Sequence, residues 1–232
     1  MNLIVIGGGC FGKVQTGRLL TAMDRGLIRK SLIVVVDRNR DHPAGTAYMG
    51  RKEVSFVQSD WSSYLKEYFS GYRQGSGDQL VPAHIAPHLL FESASSEVGA
   101  RTGRKVVFEP VTDSFGLPFE KEAPGGIRYI SAAAWLCPFS CIEPEVCPAT
   151  RGPRDWDLSH LVPKVMKKSA DMCVVFKTTH YAWGVGTISC DSIAASYESI
   201  AALVGNAGGK SVRVAVATTS NCHGVVGMLR IT

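Results

Sequence analysis

The chain predicts an α/β fold, a doubly wound and mostly parallel sheet followed by a cysteine-containing α/β half. Three observations carry this expectation. Apolar runs of strand length alternate with helix-period stretches through residues 1–109. The first run, residues 3–6, enters a glycine-rich turn that opens a helix. The second, residues 32–36, is continuously apolar and ends on Asp37, as expected of a strand covered on both faces.

The elements follow in order. Val14, Leu19, Leu20 and Met23 repeat at helical spacing from Phe11 to about Arg25, and Gly26 stops the helix. Residues 53–57 read as a third strand. Ser59-Asp60 then forms an N-cap region for a helix through Tyr64, Leu65, Tyr68 and Phe69. The segment 71–77 breaks that helix, and 79–81 is a fourth strand. A short helix over 89–97 and a fifth strand over 106–108 complete a dinucleotide-type domain at 1–109. Residues 110–126, with three prolines and two late glycines, read as a connection. The C-terminal α/β region spans 110–232 and leaves continuation of the same sheet open. It carries a strand at 127–134, a Cys/Pro loop at 137–153, helices at 155–168 and 191–204, and strands at 172–176, 211–217 and 225–231.

Bulk composition bounds the function. The 232 residues are 45% hydrophobic and 19% charged, with net charge +5, as in an ordinary globular protein. The basic residues are dispersed, which argues against a nucleic-acid stripe. No segment reaches the roughly 20 apolar residues a membrane span needs, so no membrane insertion is expected. The start lacks the basic region of a signal peptide, and a cytoplasmic protein is expected. Seven cysteines in a reducing compartment point to metal or redox chemistry rather than a disulfide framework.

The turn Gly7-Gly8-Gly9-Cys10-Phe11-Gly12 has the G-x-G-x-x-G spacing. Gly7 permits the tight exit from the strand, Gly9 lets a pyrophosphate approach the backbone, and Gly12 lets the helix pack close to the sheet. The helix N-terminus, with Cys10 and Phe11 in its first turn, faces the phosphate. Asp37 lies 25 residues beyond Gly12, where a carboxylate accepts from ribose hydroxyls and repels a 2′-phosphate. That favours NAD, while Arg38 beside it keeps NADP open. These residues, with Ser59-Asp60 and Asp78 before the fourth strand, resemble the Rossmann-like NAD-binding domains of potassium-uptake regulators of the TrkA-N or RCK type. The opening strand and triple glycine are also similar to the nucleotide domain of precorrin-2 dehydrogenases. The resemblance covers residues 1–109 and implies that Asp60 lies near the adenine.

Two histidines qualify as catalytic groups. His84 follows the fourth strand, where the ligand crevice of a parallel sheet opens, and His180 follows a strand beside the turn at 181–186. Either has a pKa suited to proton transfer. Cys137, Cys141 and Cys147 fall at C-x3-C-x5-C spacing among prolines. Thiolates there suit zinc or an iron–sulfur cluster, with Cys222 or its neighbour His223 as the best fourth ligand, Cys222 being taken as the ligand, and His180 next. The expectation is an NAD(P)-binding oxidoreductase acting on a small molecule, with a metal or iron–sulfur site in its second half. An NAD-responsive sensor with a structural cysteine site is the alternative, and homo-oligomer formation stays open.

Overall fold

The computed structural model describes residues 1–82, 86–138 and 141–232. Its first elements are β1 (Asn2–Ile6), α1 (Cys10–Asp24), β2 (Leu32–Asp37), α2 (Pro43–Tyr48), β3 (Val54–Gln58), α3 (Trp61–Ser70) and β4 (Gln79–Val81). Next come α4 (Leu89–Thr102), β5 (Val106–Glu109), β6 (Phe119–Glu122), β7 (Arg128–Ser131), α5 (Leu158–Met166) and β8 (Met172–Lys177). The last are β9 (Thr179–Ala182), β10 (Val185–Ser189), α6 (Cys190–Asn206), β11 (Val212–Thr219) and β12 (His223–Ile231). Among the described residues this is a mixed α/β fold with two mixed sheets. Contacts divide the chain into one unit of Met1–Ala86 with Thr179–Ala194 and another of Pro87–Thr178 with Ala195–Thr232.

The first unit holds a sheet of order β3-β2-β1-β4-β10-β9. β1 to β4 are mutually parallel, whereas β10 runs antiparallel to β4 and β9 antiparallel to β10. Leu3, Ile4, Ile33, Val35 and Val36 are fully buried, as the unbroken apolar runs of β1 and β2 require. Leu19, Leu20 and Met23 of α1 pack onto them. Buried Asp78 ties this unit's strands and helix together. Its carboxylate accepts from the Asn2 amide at 2.6 Å, the Asn2 side chain at 3.1 Å and the Tyr68 hydroxyl at 2.7 Å. Burial, then the neighbouring Cys190 and Asp78, push the Tyr68 phenol up, so it stays a donor.

The hairpin β9–β10 departs from the sequence expectation. Residues 181–186 read as a turn after a strand, but no strand pair was expected around it; Trp183 and Gly184, with φ of 50° and 73°, join β9 to β10. Trp183 stands where Asn, Asp or Gly is usual in a two-residue hairpin turn, so the turn was readable but its hairpin type was not.

The second unit holds the order β6-β7-β12-β11-β8, with β5 also paired to β12. β8 and β11 are parallel, and the other pairs are antiparallel. β5 was expected in the parallel sheet of the first half; instead it pairs with β12 over Val106–Glu109. The contact division accordingly falls after Ala86 rather than after residue 109. Four-residue apolar strands carry no mark of their partner. Packing of α4 depends on a gap in β12: a Cβ on Gly227 would lie 2.4 Å from the Phe91 ring.

Glu120 organises the connection before β7. Its carboxylate accepts from the amides of Phe115 at 3.0 Å and Leu117 at 3.1 Å, and from Arg128 at 3.2 Å. Burial opposes its ionisation, but these donors outweigh it and hold the carboxyl below its ordinary value. A depressed native pKa stabilises the fold above the unfolded value, and that contribution fades as pH falls through the native one. Glu120→Gln is therefore expected to cost about 1–3 kcal/mol at neutral pH, with the difference shrinking at about pH 3; urea unfolding at the two pH values measures it. Gly227→Ala should cost a further class of packing energy, about 1–3 kcal/mol, read from the same unfolding curves.

Candidate functional site

β1 ends at Ile6 and the chain turns through Gly7, whose φ is 92°. The Gly7 amide donates to Val36 O at 2.8 Å, which fixes the turn to β2. Gly8 donates to Asp37 Oδ2 at 2.7 Å, and Asn39 donates to Oδ1 at 2.9 Å. Gly9 is the N-cap of α1 without a side-chain cap, and the first turn carries no acidic residue. The first amides of a helix lack intrahelical acceptors, so this end presents the positive pole of the helix dipole. A Cβ on Gly9 would meet nothing within 4 Å, so the approach is open. Gly12 is the opposite: its Cβ would sit 1.8 Å from Gly7 O. Cys10 and Phe11 are exposed beside this opening.

The predicted cofactor residues thus divide. Gly7, Gly9, Cys10, Phe11, Gly12 and Asp37 come together around one turn. Arg38 is exposed and uses its carbonyl to accept from Gln58 at 3.3 Å. Asp60 caps α3, its Oδ1 accepting from the amides of Ser62 at 3.0 Å and Ser63 at 3.2 Å. Asp78 is given to the structural role described above. Two residues that sequence reasoning missed wall the turn. A Cβ on Gly7 would lie 3.2 Å from the Trp61 ring, and one on Gly8 would lie 2.3 Å from His42 Nδ1. His42 Nδ1 in turn accepts from Gly45 at 2.9 Å, capping α2. The pattern His42-Pro43 at a helix start was the available signal.

His84 lies outside the described residues. His180 is on the edge strand β9, and its Nε2 accepts from the Gly184 amide at 3.1 Å. This ring nitrogen braces the β9–β10 turn.

The cysteine loop belongs to the second unit. Among the described residues, no three His, Cys, Asp or Glu side chains converge as a metal site needs. The predicted ligands behave differently from one another. Cys222 is buried and its sulfur accepts from Trp156 Nε1 at 3.2 Å. Burial pushes its thiol up to about 12, against the pull of the Trp156 bond. Cys141 Sγ accepts from the Glu143 amide at 3.4 Å. The amides of Thr150 and Ala149 hold the Cys147 thiol below its ordinary value. Burial and then Cys141 push Cys137 up.

Glu143 clamps this loop to the β11–β12 turn. Its carboxylate accepts from Ser220 Oγ, from the Asn221 amide at 2.8 Å and from the Cys222 amide at 3.3 Å. Glu143 and Arg151 have φ of 52° and 58°, the left-handed region that costs a side chain. His223 opens β12 beside the clamp. Its Nδ1 is 2.9 Å from Ser131 Oγ, which also meets the amide and carbonyl of Ala133, each at 2.9 Å. Desolvation outweighs the opposing effect of Glu143 and holds His223 below its ordinary value.

A family model described as "Uncharacterized protein, C-terminal domain" matches residues 87–232. The chain belongs to the AF_1314_C family. The match begins at the residue that opens the second unit, Pro87, and takes in the cysteine loop. No curated protein and no solved structure matches the chain. Among the described residues no helix is long and apolar enough to cross a membrane.

Thiol reactivity offers a direct check on this geometry. Cys10 is exposed at a helix start, whereas Cys190 is fully buried and pushed up to about 12 by burial. Iodoacetamide is expected to label Cys10 in the native protein and Cys190 only after unfolding, as read by peptide mass spectrometry.

Proposed function

We propose that the first unit binds an adenine dinucleotide, NAD in preference to NADP, and that the protein is an NAD-dependent oxidoreductase. The single observation that carries the reading is the open, uncapped N-terminus of α1 above Gly9, with Asp37 anchored one residue away through Gly8. Helix N-termini of this kind hold pyrophosphate through backbone amides and the helix dipole. Support comes from the parallel order β3-β2-β1-β4, which is the order of a Rossmann half and places such a turn at the carboxyl end of its first strand. The resemblance to the TrkA-N and precorrin-2 dehydrogenase nucleotide domains agrees with it.

On this reading the amides of the α1 start meet the pyrophosphate. Each Asp37 oxygen accepts one backbone bond and keeps a lone pair for a ribose hydroxyl. The same carboxylate repels a 2′-phosphate. When bound, the nicotinamide supplies hydride transfer to or from a small-molecule substrate.

Calorimetry with NAD, NADH and NADP tests the proposal. One dinucleotide per chain is expected, with NADP weaker, and Asp37→Ala should weaken NAD binding by about 10–100-fold. Absence of binding at millimolar concentration overturns the site. Acrylamide quenching of bound NADH tests the catalytic part: a nicotinamide as accessible as in free NADH overturns the oxidoreductase reading while leaving the binding site standing.

A further inference from the structure

We propose that a groove over α1 in the first unit binds a small aromatic carboxylate, with Trp183 as its platform and Arg18 as its anion clamp. Every residue that lines the groove belongs to that unit. The lining starts at Val14, beyond the first turn of α1. The site is therefore separate from the glycine turn and does not rest on the dinucleotide reading.

The turn between β9 and β10 carries a residue that the turn itself does not ask for. Trp183 and Gly184 have φ of 50° and 73°, the sign that a two-residue turn between twisted strands needs. Asn-Gly meets that need readily, whereas a bulky side chain at positive φ costs on the order of 1–2 kcal/mol. Contacts from both sides hold the turn against this cost. The Gly184 amide donates to His180 Nε2 at 3.1 Å, and Arg18 Nη1 donates to Gly184 O at 3.4 Å. The Arg25 guanidinium lies over the Trp183 ring, 4.6 Å from its centre. The tryptophan so held is nevertheless 41% exposed, so core burial does not account for it. Strain that the surroundings over-determine is a mark of preorganised ligand contacts.

The groove has the size and shape of a small-molecule site. Its volume is about 470 Å³, within the usual range for such sites. Gly17 supplies room for one wall. A Cβ there would lie 2.3 Å from the Tyr48 hydroxyl, which donates to Lys13 O at 3.0 Å. The missing side chain lets Tyr48 reach across α1. Tyr48, Trp183, Arg18 and Arg51 all line the space, and each ends in a planar group. Such groups favour a flat ring, through offset or edge-to-face contact with the aromatics and stacking on guanidinium planes.

Charge selects the rest of the ligand. Two arginines and one aspartate line the groove, a surplus of one positive charge. Arg51 faces carboxylates already, with Nη2 3.4 Å from Asp24 Oδ1 and Nε 3.1 Å from Glu53 Oε2. Arg18 stands beside the Trp183 turn through its bond to Gly184 O, and its planar fork matches a carboxylate in two parallel bonds. A carboxylate held there brings its own ring to the indole. The surplus suits a monoanion, while Asp24 and Glu53 disfavour a phosphate dianion.

The test uses the full chain with naphthoate as the probe. Calorimetry should give one site per chain, with the neutral naphthamide about 10–100-fold weaker and cyclohexanecarboxylate about 3–10-fold weaker. The indole N–H resonance lost in Trp183→Asn identifies Trp183 among the four tryptophans, and in the wild type it should shift on titration. Trp183→Asn supplies the Asn-Gly pair that the turn prefers; it should keep the fold and bind about 10–100-fold more weakly. Trp183→Phe should stay within about 10-fold of wild type. Arg18→Gln should bind naphthoate no better than naphthamide, and saturating NAD should leave naphthoate affinity unchanged. Equal affinity of the wild type for naphthoate and naphthamide overturns the Arg18 clamp. An unshifted Trp183 resonance, displacement of naphthoate by NAD, or absence of binding at millimolar concentration overturns the site. A wild-type dimer that Trp183→Asn dissociates in sedimentation assigns the groove to a second copy of the chain and overturns the small-molecule assignment.

Discussion

The approach of α1 to the exit of β1 is the contact on which the first unit depends. At Gly12 there is no room for a single carbon, because the Gly7 carbonyl oxygen occupies the place a Cβ would take. This closeness lets Leu19, Leu20 and Met23 reach the sheet, and it brings the start of α1 beside the ends of β1 and β2. The open space over Gly9 and the bond from Gly8 to Asp37 follow from the same turn. Packing and the candidate anion site are therefore one feature. Gly12 lets the helix seat, and Gly9 leaves its first amides reachable.

In the second unit, a side chain does a comparable job. Glu143 accepts three bonds from the turn between β11 and β12, which satisfies polar groups at the strand ends. The AF_1314_C match spans this arrangement, so strand ends, clamp and thiols belong to one family domain.

Parts of this were legible in the sequence for identifiable reasons. The unbroken apolar runs of β1 and β2, the glycine spacing and the Asp60 cap each encode local geometry in a few adjacent residues. The turn of the β9–β10 hairpin was legible, but the strand pair it joins was not, because a tryptophan stands where glycine or asparagine usually marks a hairpin. β5 was visible as a strand, yet its partner β12 lies more than a hundred residues away. The roles of polar residues were the least legible. Asp60, His180 and Asp78 have the chemistry of site residues, but each bonds to backbone or structural groups nearby. Cys222 and His223 are neighbours with opposite surroundings, one bonded to Trp156 and the other to Ser131.

By itself, the sequence determined the class of the first elements and the turn between β1 and α1. Those depend on steric rules that act within a few residues: glycine at positive φ, apolar periodicity and helix capping. Only the tertiary structure decided which strands share a sheet, where the second unit begins and which thiol faces which partner. Those outcomes come from pairing and burial between distant segments, whose free energies are set by the neighbours that the folded chain supplies.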